Sequence, residues 1–234
     1  LNWETLRLDQ AARKNFEAKA LRLAQGEPLA YVLGETDFYG QRFKVTPDVL
    51  IPRPDTEILL EVFATLPQQK KLDQGRILDI GTGSGIILIS AASVLNAKQR
   101  ANWDLVGTDE SALALEVAKD NAKTLLPETK FCFEQADLWP SRRKEAFDFI
   151  FSNPPYIDGK AYEALDKRVR AYEPKMALYG GDDGLDFYRR IIAGLDTWLV
   201  AGGFVLLEIG YDQAEAVSSM LKLKGYTEVK VFKD

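Results

Sequence analysis

"RILDIGTGSGI" (Arg76–Ile86) is the stretch that decides how this chain folds. Arg76–Ile80 reads as a short apolar strand. Gly81, Gly83 and Gly85 then alternate with the small polar residues Thr82 and Ser84, and a helical pattern runs from Ile86 to Ala97. Strand, glycine loop and helix in that order form a nucleotide-binding arrangement. Glycines let the backbone approach a ligand and reach positive φ, and the helix N-terminus carries about half a positive charge. Two common versions of the loop do not fit. The dinucleotide fingerprint would place a glycine where this chain has Ile86, and the P-loop would continue with Gly-Lys-Ser/Thr.

Working outward, strands and helices keep alternating. Trp103–Asp109, Lys130–Gln135, Ala146–Ser152, Gly203–Ile209 and Thr227–Phe232 read as further strands. Ser111–Thr124, Leu185–Val200 and Gln213–Lys224 read as helices. That pattern predicts an α/β fold with a mostly parallel sheet and helices on both faces. Ligands of such sheets bind beyond the carboxyl ends of the strands, where Asp79, Asp109, Asp137 and Asn153 all fall. Upstream, Asp9–Ala24 is helical and ends at "QGEP". Pro28–Pro54 mixes aromatic, β-branched, Gly and Pro residues into short strands and turns. Thr56 is expected to cap a helix from Glu57 to Leu66, stopped by Pro67. The expected divisions are a helical remnant over 1–35, a hairpin-like linker over 36–56 and a catalytic domain over 57–234.

Composition narrows the chemistry. There are no histidines among the 234 residues, so Ser-His-Asp and Cys-His catalysis are excluded. Cys132 is the only cysteine; it reads as a small buried hydrophobe, and neither a disulfide nor a thiolate metal cluster is expected. A reducing, cytoplasmic setting fits that usage. The net charge of −5 and the scattered basic residues give nucleic-acid binding no support. The clusters Gln68–Lys71 and Ser141–Glu145 read as solvated loops. No secretory or membrane-spanning segment is visible, and a monomer is expected. Trp3, Trp103, Trp139 and Trp198 read as core or interface residues.

"FSNPPY" (Phe151–Tyr156) ends a buried strand on an amide and two prolines. A plain turn is one reading. The other is a rigid acceptor clamp for a planar NH2 group. The Asn153 side-chain oxygen and the Pro154 carbonyl each accept one hydrogen, Pro154 and Pro155 hold φ near −65°, and Tyr156 offers an aromatic face. Such a clamp needs no histidine. It does not distinguish adenine N6 from a glutamine side-chain amide.

The spacing Asp-x-Gly-x-Gly-x-Gly over Asp79–Gly85 resembles the cofactor loop of class I S-adenosylmethionine-dependent methyltransferases. The resemblance implies a Rossmann-like fold and a cofactor carboxylate at the helix N-terminus over Gly81, Thr82, Gly83, Ser84 and Gly85. It also implies Asp79 near the cofactor's ammonium, Asp109 on the ribose hydroxyls, and Asp137 with Leu138 on the adenine. Capping of loop or helix is the alternative for Asp109 and Asp137. More widely, "GEPLAYVLGETDFYGQRFKVTPDVLIPRPDTEIL" (Gly26–Leu59), "NPPYI" (Asn153–Ile157) and "YEPKMALYGGDDGLDFYRRI" (Tyr172–Ile191) resemble the HemK/PrmC family. That resemblance implies methylation of N5 of the glutamine in the Gly-Gly-Gln loop of peptide-chain release factors. The alternatives are glutamine methylation of a ribosomal protein, adenine-N6 methylation of nucleic acid, or a binding module without turnover. Arg53 is expected at the mouth of the site, and Tyr179–Tyr188 as either a mobile lid or a plain loop. Family members carry several N-terminal helices and a seventh, antiparallel strand, so both ends of this chain are expected to be trimmed.

Overall fold

The computed structural model describes residues 9–69, 72–141 and 145–233. Trp3, Lys70, Lys71 and residues 142–144 of the two basic clusters lie outside them.

The chain opens with helix α1 (Gln10–Ala24), capped by Asp9, whose carboxylate accepts from the Ala12 amide at 2.7 Å. A short helix, α2 (Leu29–Leu33), precedes an antiparallel hairpin of β1 (Glu35–Phe38) and β2 (Gln41–Lys44). The α/β part follows in order: α3 (Glu57–Gln69), β3 (Gly75–Ile80), α4 (Ile86–Val94), α5 (Ala97–Asn102), β4 (Trp103–Asp109), α6 (Ala112–Leu125), β5 (Phe131–Gln135) and β6 (Phe147–Ser152). Then come α7 (Gly159–Ala164), α8 (Lys167–Tyr172), α9 (Asp186–Trp198), β7 (Leu199–Leu207) and α10 (Ala214–Leu223).

The sheet has five strands in the order β5-β4-β3-β6-β7, all parallel. Alternate residues face opposite layers, as a period of two requires. Ile77, Leu105, Phe149 and Phe151 join Leu60, Phe63, Ile87 and Leu88 on one face. Leu78, Val106 and Ile150 join Tyr188, Ile191, Leu195 and Val217 on the other. Phe63 sits edge-on to Trp103, Phe149 and Phe151, and Trp139 stacks on Trp198. Burying each such ring contributes about 1.5–3 kcal/mol. The strand order reverses between β3 and β6, which opens a crevice at their carboxyl ends.

Four expectations change. No strand forms over Thr227–Phe232 among the described residues; Val229 packs against the core under α9 and α10, while Val231 and Phe232 stay exposed. The helix expected over Ile86–Ala97 stops at Val94 because Leu95 turns into the core. Asn96 then starts α5 with a reciprocal capping pair to Gln99. The α3 backbone runs through Pro67 to Gln69, since a proline in the last turn removes only one bond near a fraying end. Thr56 does not cap α3; it lies in a single 3-10 turn, Pro54–Thr56, and its hydroxyl is used elsewhere.

The hairpin is not loosely attached. Phe38 and Phe43 are buried in the same core as β3 and α4. Buried Asn121 of α6 accepts from the Lys44 amide at 2.7 Å and donates to the Lys44 and Ser84 carbonyls at 3.0 and 2.9 Å.

Candidate active site

The crevice at the strand ends is a cleft lined by the loop after β3, the ends of β4 and β5, the Asn153–Pro155 segment and the turn carrying Arg53 and Thr56. Its floor is the glycine loop. Gly81, Gly83 and Gly85 have φ of 69°, 55° and 82°, in the left-handed region that favours glycine. A Cβ placed on Gly81 or Gly83 would meet nothing within 4 Å, so the open side of the loop leaves room for a ligand against the backbone.

Two acids hold this loop. The Gly83 amide donates to Asp109 Oδ2 at 2.9 Å, and the Ser111 amide donates to Asp109 Oδ1 at 2.8 Å. Ser111, not Asp109, caps α6. Each carboxylate oxygen keeps a further lone pair, so Asp109 can still accept from a ligand diol at the cleft wall. Burial pushes its carboxyl above the usual range, and the Ser111 and Gly83 amides pull it back. Asp79 is fully buried behind the loop and does not line the cleft. Its Oδ2 accepts from the Thr82 hydroxyl at 2.7 Å; its Oδ1 has no hydrogen-bond partner among the described residues. Burial raises the Asp79 carboxyl to about 7, against the lowering effect of Thr82.

In the loop after β5, Leu138 lines the cleft with φ of 71°, a conformation that strains a Leu by roughly 1–2 kcal/mol. Its carbonyl accepts from the buried Thr108 hydroxyl at 2.7 Å, which helps to hold that shape. Asp137 borders the cleft but is exposed, and Arg190 donates to it at 2.6 Å.

Opposite the loop, Asn153, Pro154 and Pro155 form the second wall. Ser152 anchors them: its hydroxyl donates to the Ile80 carbonyl at 2.8 Å, and its carbonyl accepts from the Glu208 amide at 3.0 Å. The Asn153 Nδ2 donates to Thr56 Oγ1 at 3.2 Å, and the Thr56 hydroxyl donates to Glu208 Oε2 at 2.6 Å. Among the described residues neither Asn153 Oδ1 nor the Pro154 carbonyl is taken by another group. Tyr156 turns away from the cleft toward Glu208, its hydroxyl 3.5 Å from Oε1, while Phe187 lines the cleft instead. Burial raises the Glu208 carboxyl, and its hydrogen bond from Thr56 opposes that.

Arg53 lines the mouth and is held by Glu173, whose side chain is 2% exposed, at 2.7 Å. The "YGGDDG" tract packs onto the backbone after Asn153. A Cβ on Gly180 would come within 2.5 Å of the Pro155 carbonyl oxygen, and one on Gly184 within 2.3 Å of the Tyr156 oxygen. Gln213 donates to both the Tyr156 and Gly184 carbonyls. These glycines are close-packing positions and not free hinges.

Sequence reasoning missed Thr56 as a wall residue, together with Glu173, Glu208, Asn121 and Gln213. Only Glu208 carried a signal, as an acid closing the apolar strand "GFVLLEI". Among the described residues no His, Cys, Asp and Glu cluster is arranged to hold a metal, and no helix is long and apolar enough to cross a membrane.

The family described as Methyltransferase small domain matches residues 54–171. A methyltransferase from Pyrococcus furiosus superposes with a TM-score of 0.54 at 18% identity, over 92% of this chain and 89% of that one; at this identity the likeness shows the fold. Fold and family match define a class I S-adenosylmethionine-dependent methyltransferase. Among curated relatives, the release factor glutamine methyltransferase of Coxiella burnetii is 39% identical over 226 residues, 96% of this chain and 77% of the relative. That of Francisella tularensis is 40% identical over 227 residues, 97% of this chain and 77% of the relative. The chain belongs to the release factor glutamine methyltransferase family.

Proposed function

We propose that this chain methylates the side-chain amide nitrogen of a glutamine in peptide-chain release factors, the one in their Gly-Gly-Gln loop, as its family resemblance implies. The observation that carries the reading is the pair of untaken acceptors, Asn153 Oδ1 and the Pro154 carbonyl, on the wall facing an open glycine loop.

The residues present fit the cofactor. Gly81 and Gly83 leave space at the N-terminus of α4 for a carboxylate, Asp109 keeps lone pairs for a diol, and Leu138 offers an apolar surface for a flat base. Asp79 acts from behind the loop by holding Thr82, and its unpaired oxygen favours a cationic ligand group in front. Asp137 reaches the base only if it leaves Arg190. When bound, S-adenosylmethionine supplies an electrophilic methyl group on a sulfonium.

An amide nitrogen is a poor nucleophile because its lone pair is shared with the carbonyl. Asn153 and Pro154 accept its two hydrogens and turn the lone pair toward the cofactor side of the cleft. Such orientation lowers a barrier by up to about 7–11 kcal/mol in a well-built site. Both acceptors are weak bases, so they orient the amide and do not deprotonate it. The extra proton of the methylated nitrogen leaves to water. Arg53, fixed by Glu173, shapes the mouth through which the substrate loop enters.

The deciding experiment follows labelled methyl from S-adenosylmethionine onto a purified release factor, beside the same factor with its loop glutamine changed to alanine. Label on the intact factor alone is the expected result. Label on neither factor, or on DNA or a ribosomal protein run in parallel, overturns the substrate assignment.

A further inference from the structure

A carboxamide used as an acceptor must present oxygen, not NH2, to its ligand, and the two ends of the group have nearly the same shape. Something must therefore keep Asn153 from turning over. The chain of donors behind it has one direction. A carboxylate at Glu208 only accepts, so the single hydrogen of the Thr56 hydroxyl goes to Glu208 Oε2 at 2.6 Å. That leaves Thr56 Oγ1 with lone pairs alone for Asn153, which must approach it with Nδ2, as it does at 3.2 Å. A flipped Asn153 would set its oxygen against an oxygen with no hydrogen to give.

We propose that Thr56 and Glu208 are positioning residues that lock the Asn153 amide with its NH2 group inward and its oxygen toward the substrate nitrogen. The proposal rests on the clamp reading of Asn153 given above. Thr56 is fully buried and comes from the turn after the hairpin, 97 residues before Asn153; Glu208 follows β7. Glu208 does not line the cleft, so it acts through its neighbours and not on substrate. Its backbone is fixed on both sides: the Tyr188 hydroxyl donates to its carbonyl at 2.8 Å, and Ser152 accepts from its amide. Burial and Asp55 raise its carboxyl, and the hydrogen bonds from Thr56, Asn153 and Tyr156 oppose them.

The test compares Thr56→Val, Thr56→Ser, Glu208→Met and Asn153→Ala in the full chain. It measures single-turnover methyl transfer to a release factor, and cofactor affinity by calorimetry. Valine keeps the volume of threonine and loses the hydroxyl; serine does the reverse. The lock predicts that Thr56→Val slows transfer about tenfold or more while Thr56→Ser stays within about threefold of wild type, with cofactor affinity unchanged in both. A purely packing role predicts the opposite order, and that order overturns the proposal, as does a Thr56→Val enzyme with wild-type transfer. Should Thr56→Val fail to fold, Glu208→Met decides, since it removes every Glu208 acceptor for the Thr56 hydroxyl: a slowed rate with unchanged cofactor affinity supports the lock, and a wild-type rate overturns it. Asn153→Ala separates the two layers of argument. If it transfers normally, the clamp itself is wrong; if it is inactive while both Thr56 variants are normal, only the lock is wrong.

Discussion

The two walls of the cleft are built by different strategies. On the glycine-loop wall, polar groups are satisfied within a short range along the sheet: Thr82 on Asp79, Gly83 on Asp109, Ser111 on Asp109. On the Asn153 wall they are satisfied between segments far apart in sequence, from Asn153 through Thr56 to Glu208. The first wall is a loop that any parallel sheet can carry at its switch point. The second exists only once the turn after the hairpin, β6 and β7 have been assembled. The comparison suggests a division of labour. Local hydrogen bonds shape a site for a common ligand, and long-range ones hold the group that acts on a particular substrate.

The largest expected effect breaks the second wall alone. Asn153→Ala should reduce transfer by about a thousandfold or more while cofactor affinity stays within about tenfold. Calorimetry beside a labelled-methyl assay checks this, and comparable losses in both readouts would mean that the walls do not work separately. Asp109→Ala tests the other side. It should weaken cofactor binding by about 1–3 kcal/mol, because a charged acceptor is lost and the Gly83 and Ser111 amides lose their partner. An unchanged dissociation constant would return Asp109 to holding the loop only.

Next comes pH. Asp79 binds its proton up to about pH 7 in the fold, far above its ordinary value of 3.8. Between those values the native state holds more protons than the unfolded chain, so stability falls as pH rises through that window. The raised carboxyls of Asp109 and Glu208 act with the same sign. Asp79→Asn should flatten this dependence, measured as melting temperature at pH 5 and pH 7.5. An unaltered slope would place the proton elsewhere. The smallest effect is at the rim. Arg190→Ala should shift the melting temperature by less than about 2 °C, because the ion pair to Asp137 is solvent-exposed. If cofactor affinity rises in that variant, Asp137 has been freed for the ligand.

The same contrast explains what was legible in the sequence. Gly81–Gly85 and Asp109 announce themselves because strand, loop and helix are contiguous, and because an acid that ends an apolar strand stands out. The parallel sheet followed from the alternation of strands and helices alone. "NPPY" was legible as a rigid acceptor, but its support was not. Thr56 reads as a helix cap because it precedes Glu57 and an apolar helical run, and nothing local says that its hydroxyl will meet an acid 152 residues away. Glu173, Asn121 and Gln213 are ordinary polar residues until the fold buries them against backbone groups. Tyr156 looked like a platform by residue type, yet the loop that carries it directs the ring away from the cleft. Thr227–Phe232 shows the converse error, an alternating pattern in which Val229 reaches the core but Val231 and Phe232 stay exposed and no strand pairs.

Asn121 adds a mechanical consequence. One buried amide grips both backbone groups of Lys44 and the carbonyl of Ser84, so the end of the hairpin cannot lift from the domain while the glycine loop stays in place. Such shared closure makes the two segments one cooperative opening unit, in which protected amides exchange with solvent together. The Lys44 amide should then show the same protection as those at the start of α4, and bound cofactor should slow both. A segment that reads as a linker in the sequence thus belongs, in its fluctuations, to the floor of the site.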